Sequence, residues 1–211
     1  MKTDDLISVL AEDTPVAWRF GRSFALAMIG GIAIAGAVFF SGIGMRPDIH
    51  HALDTVRFVF KFVVTLTLAV TATGLILRIA RPGVPIGFWR WAVVAAPVLL
   101  ILAVGAEMMA MPQSTWGARW IGHNMRWCMT LIPLMAAGPL VCLILALRQG
   151  APKRPGLAGA IAGLVASGIA ATFYASHCPD DSPFFVATWY TLATGIVVLA
   201  GYLAGSKFLR W

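Results

Sequence analysis

"FALAMIGGIAIAGAVFFSGIG", residues 24–44, contains no charged side chain and no polar face. A helix of about 20 such residues spans a hydrocarbon core of about 30 Å, whereas a helix on the surface of a soluble domain would carry a polar stripe. One run of this kind could be a buried core helix; five more decide the matter. Val56–Ile79, Trp91–Met111, Met125–Leu147, Leu157–Ala175 and Phe184–Gly205 are similarly long and apolar. Across the 211 residues, 59% are hydrophobic and 12% charged, a balance that ordinary soluble domains do not show.

The expected fold is therefore all-α, an integral membrane bundle of six transmembrane helices. Residues 1–23 form an N-terminal tail, residues 24–205 the six-helix domain, and residues 206–211 a short C-terminal tail. Some twenty polar or mixed residues precede the first run, which is long enough to span, so a cleaved secretory signal is not expected. The loops are too short to bury a core of their own, which excludes a separate soluble domain. Two spans carry charge near an end: Arg57 and Lys61 in the second and Glu107 in the third, where long side chains can reach the headgroups.

Orientation follows from Lys and Arg in alternate loops. With the N-terminus inside, eleven bases are cytoplasmic and five, Arg46, Arg57, Lys61, Arg119 and Arg126, are outside. Both termini are then cytoplasmic. The net charge of +7 is a topology signal; its bases are spread over separate segments, so direct nucleic-acid binding is not expected.

"SHCPDDSPFF", residues 176–185, falls in the base-free outer loop between the fifth and sixth spans. Cys178 lies there, and Cys128 begins the fourth span at the same face. Two cysteines facing an oxidising compartment suit a disulfide or an oxidisable thiol pair. His177, Asp180, Asp181 and His123 add nitrogen and oxygen donors that suit a transient soft or borderline metal ion, although the spacing matches no standard zinc motif. A structural alternative is that Asp180, Ser182 and Pro183 make a turn and cap the sixth helix. Cys142, 14 residues beyond Cys128 and about 21 Å deeper, suits core packing. His50 and His51, beside Asp48 and Asp54, read as a solvated pair.

In the tail, "DDLISVLAED" (residues 4–13) places Leu6, Val9 and Leu10 at helical spacing among Asp4, Asp5, Glu12 and Asp13. A short acidic amphipathic helix is repelled by an anionic leaflet and suits a basic protein partner, or the bases of the chain's own inner loops. Alternation between the two would be a switch. In "LRIARPGVPIGFWRW", residues 77–91, Pro and Gly make a tight connection that fixes Arg81 at the inner surface, where it can meet Asp13 or a partner.

Small residues along the fifth span, Gly156, Gly159, Gly163 and Ser167 among them, and Gly201 and Gly205 in the sixth allow close helix packing; the same stripe also suits a homodimer. Mid-span charges, a P-loop, a nucleophile with its base and a CxxC are all missing, which disfavours a transporter and an enzyme. No cofactor is required. The competing class is a small membrane redox protein or transporter using the outer thiols.

"MKTDDLISVLAED" at the start, "ARPG" at 80–83 and "HCPDDSPFFVATWY" at 177–190, on six spans with a cysteine in the fourth, resemble the NrsF family of bacterial inner-membrane anti-sigma factors. The resemblance runs over nearly the whole chain. It implies a protein that holds an extracytoplasmic-function sigma factor at the membrane and frees it under periplasmic heavy-metal or oxidative stress. Cys128 and Cys178 would be the sensing pair. The sigma contact would fall on the tail, with Asp13 and Arg81 as its polar residues.

Overall fold

A computed structural model of the protein describes residues 16–81 and 83–209. The described residues hold six helices long and apolar enough to cross a membrane: α1 (Phe20–Ile43), α2 (Val56–Ile79), α3 (Trp89–Ala110), α4 (Met125–Leu147), α5 (Pro155–Ala175) and α6 (Pro183–Phe208). Short helices Ile49–Leu53 and Trp116–Ile121 sit in the first and third connections. The span limits agree with the hydropathy reading to within a few residues. Differences lie at helix ends, because a proline in the first turn starts α5 and α6 earlier and intrahelical bonding carries α6 on to Phe208.

The centre of the bundle is α5, which packs on α6, α2 and α4, while α1 packs on α4 and α3 lies at the edge against α2. Small residues explain the centre. A Cβ on Gly159 would meet the Gly201 carbonyl and come 2.7 Å from the Gly205 Cα; one on Gly163 would come 2.7 Å from the Val197 carbonyl. The backbones of α5 and α6 thus touch through glycine, as membrane helices without a hydrophobic driving force between them require. This stripe is used within the chain.

Three connections converge at one end, here the cysteine end; α1 begins and α6 finishes at the opposite end. Two π-helical segments, Phe39–Ile43 in α1 and Val186–Tyr190 in α6, lie near the cysteine end. Such widened turns are common where a helix is reshaped around a functional group. The second carries Tyr190 to within 5.8 Å of the Tyr174 ring, below the loop that holds Cys178.

Candidate functional site

Residues 176–182 are clasped from four sides at the cysteine end. From α2, the Lys61 Nζ donates to the Cys178 carbonyl at 2.7 Å and lies 2.6 Å from Asp181 Oδ1. Lys61 is completely buried, and its ammonium also stands 5.2 Å from the centre of the Phe58 ring. This overturns the expectation that Lys61 reaches toward headgroups. Its side chain turns inward because the base-free loop brings a carboxylate and a free carbonyl to it, which a buried ammonium needs.

From the first connection, Arg46 donates to Asp181 Oδ2 at 3.0 Å and grips Asp48 with two bonds of 2.6 and 2.7 Å. Its backbone N–H reaches the Ser176 carbonyl at 3.1 Å. The guanidinium holds the Asp48 carboxyl below the usual range, chiefly through that hydrogen bond. His177 Nδ1 stands 3.0 Å from the Gly44 carbonyl.

From the start of α4, the backbone N–H groups of His123 and Asn124 and the Asn124 side-chain amide all donate to Asp180 Oδ2, at 3.0, 2.8 and 3.1 Å. Asp180 therefore fixes the chain entering α4 from across the bundle, a correction to the expectation that it caps α6. Ser182 does occupy the residue before α6, but its hydroxyl makes no capping bond there and instead donates to Glu107 Oε1 at 3.4 Å. Gly122, with φ +59°, makes the approach feasible: a Cβ there would lie 2.9 Å from the Asp180 carboxyl carbon.

From α3, Glu107 completes the clasp. It is 5% exposed and accepts from Arg57 at 3.1 Å and Arg119 at 2.9 Å. The expectation that Glu107 reaches the headgroups is likewise corrected: two guanidinium groups and a hydroxyl compensate its burial.

Cys128 and Cys178 both have zero exposure and share one apolar cluster with Tyr174, Phe185 and Tyr190. Both thiols are free. The Cys178 Sγ makes only a long 3.9 Å contact to the Asp180 carbonyl. Burial pushes the Cys178 thiol up to about 11, against the pull of the Lys61 ammonium, so at neutral pH it is a thiol and not a thiolate. Among the described residues, no three His, Cys, Asp or Glu side chains are arranged to hold a metal ion. His177, Asp180 and Asp181 are instead engaged with the partners named above, while the His123 imidazole is exposed, 3.7 Å from Asp180.

At the opposite end, Arg81 lies 5.9 Å from the Phe20 ring at the start of α1. Gly83 (φ +82°) and Gly87 (φ +52°) turn the chain between α2 and α3, as the Pro- and Gly-rich sequence implies. The remaining sigma-contact candidates, Asp4, Asp5, Leu6, Val9, Leu10 and Asp13, lie outside the described residues.

Sequence reasoning named Lys61, Arg46 and Glu107 without placing them in the site. The available signal was a loop with two aspartates and no base, facing spans that carry unmatched charges near the same end.

Comparison with known proteins adds the biological frame. The family model described as "Negative regulator of sigma F", NrsF, matches residues 10–211. A "Probable anti-sigma-F factor NrsF" of Azospira oryzae is 32% identical over 217 aligned positions, and an "Anti-sigma-F factor NrsF" of Caulobacter vibrioides is 33% identical over 216; each alignment covers all of both chains. No solved structure matches.

Proposed function

Since this chain belongs to the NrsF family of negative regulators of sigma F, we propose that it is an inner-membrane anti-sigma factor whose cysteine end faces the periplasm and whose tails are cytoplasmic. It holds an extracytoplasmic-function sigma factor through the acidic tail and Arg81, and releases it when Cys128 and Cys178 react. The full-length family match carries the anti-sigma role. The clasp on residues 176–182 supports the switch.

At rest both thiols are buried and Cys178 is protonated, so neither attacks an oxidant or binds a cation readily. Opening of the loop admits the signal. Oxidation joins the two sulfurs and delivers two electrons and two protons to the oxidant; capture of a soft divalent ion releases two protons instead. Either event repositions Cys178, whose carbonyl is bonded to Lys61. The helix bearing Lys61 continues unbroken to Arg78, about 26 Å away along its axis, and leads into Arg81. A change at the loop therefore has a rigid element to act through.

The test is co-purification from membranes before and after cadmium or diamide, with thiol labelling of the same samples. The sigma factor should be present before treatment and absent after it, as Cys128 and Cys178 become protected together. A Cys128→Ser, Cys178→Ser variant should keep the sigma factor under stress, and Asp13→Ala should lose it without stress. Normal release from the double serine variant would end the thiol-switch reading.

A further inference from the structure

All five carboxylate residues among the described residues, Asp48, Asp54, Glu107, Asp180 and Asp181, lie at the cysteine end. At the opposite end, the finish of α2 and the start of α5 leave between them a pocket of about 390 Å³ lined by Arg78, Arg81, Lys153 and Arg154. The backbone on either side of the pocket is held by packing and by a hydrogen bond. Helices α2 and α5 pack along their lengths, with Gly168 against Ala69, so their ends stay together. The connection after α2 folds back until the Pro85 carbonyl accepts from Arg78 at 3.2 Å. None of the ion pairs among the described residues reaches these four cations.

Four like charges around one pocket repel one another and attract an anion. The pocket lies at the ends of two spans, at the level where hydrocarbon gives way to headgroups. Its wall is also partly apolar, through Ile79 and Leu157. A phosphodiester carried on a glycerol backbone offers both: two non-bridging oxygens that share one negative charge for the guanidinium groups, and apolar carbon for the span residues. We propose that this pocket binds the phosphate of an anionic phospholipid headgroup. The chain's own acidic tail is the other source of negative charge: it enters through α1, whose Phe20 lies 5.9 Å from Arg81, although no described residue of α1 lines the pocket. The lipid reaches it directly from the bilayer edge.

Native mass spectrometry of the full-length protein, mixed with phosphatidylglycerol, phosphatidylcholine or inorganic phosphate, tests this. Wild type should retain phosphatidylglycerol over phosphatidylcholine. Lys153→Gln with Arg154→Gln should cut retention roughly tenfold or more, while Lys153→Arg with Arg154→Lys restores it. Arg90→Gln with Arg148→Gln, at the same end but outside the pocket, should leave retention unchanged and controls for general loss of charge. Equal losses from the two neutral pairs would overturn the site in favour of diffuse attraction. Binding of inorganic phosphate without lipid would overturn the headgroup. Lipid binding that emerges only after Asp4, Asp5, Glu12 and Asp13 are neutralised would give the pocket to the tail. Sigma-factor retention, read on the same samples, reports on the anti-sigma role independently of the lipid result.

Discussion

Lys61 Nζ lies 2.6 Å from Asp181 Oδ1, a completely buried ammonium on α2 held against a loop carboxylate from 120 residues later in the chain. The same ammonium reaches the backbone of Cys178. The candidate sensor is thereby tied to a helix through charge rather than apolar contact alone. Removing one partner of a buried pair leaves the other uncompensated, at a cost of about 3–5 kcal/mol.

Lys61→Met should therefore destabilise the protein by about 3 kcal/mol, the lower end of that range because Arg46 still holds Asp181. Adding Asp181→Asn should recover part of the loss, since the double change leaves no isolated charge on either side of the pair. Denaturation in detergent measures both. Strictly additive effects would show that the pair does not act as a unit.

The Cys178 thiol gives a pH signature. Burial raises it from the ordinary 9.0 to about 11, so the closed loop favours the protonated form. Its contribution to closed-loop stability is complete below pH 9 and is lost as pH rises toward 11. In a Cys128→Ser, Cys142→Ser background, labelling by an uncharged methanethiosulfonate should stay far below that of a free cysteine at pH 7.5 and rise steeply above pH 9. Free-cysteine reactivity at pH 7.5 would contradict the burial.

Asp180 accepts three N–H donors at the start of α4. Asp180→Ala should cost about 1–2 kcal/mol, as loss of hydrogen bonds to a charged acceptor does, and Asp180→Asn less because one oxygen acceptor remains. The same Ala variant should speed labelling of Cys128, one turn into α4. Hydrogen exchange at the His123 and Asn124 amides reports these bonds directly.

Glycines in α5 and α6 divide by contact. Gly159→Ala forces the α5 and α6 backbones apart and should destabilise by about 1–3 kcal/mol. Gly195→Ala, on α6 with nothing within 4 Å, should be neutral or slightly stabilising through helix propensity. Thermal unfolding of the two variants side by side separates packing from propensity.

The sequence by itself determined the six spans, the placing of Cys128 and Cys178 at one end, and the use of Gly159, Gly163, Gly201 and Gly205 for close packing. Each depends on quantities that add up along the chain: apolar length, the parity of crossings and residue size at a helical repeat. Only the tertiary structure decided that Lys61 and Glu107 turn inward, that Asp180 binds the chain entering α4 and not the nearby α6, and that Arg46 joins Asp48 to Asp181. Those choices depend on which helices are lateral neighbours. Counting crossings fixes the depth of a side chain but not what stands beside it, and a buried charge takes its direction from the partner that compensates it.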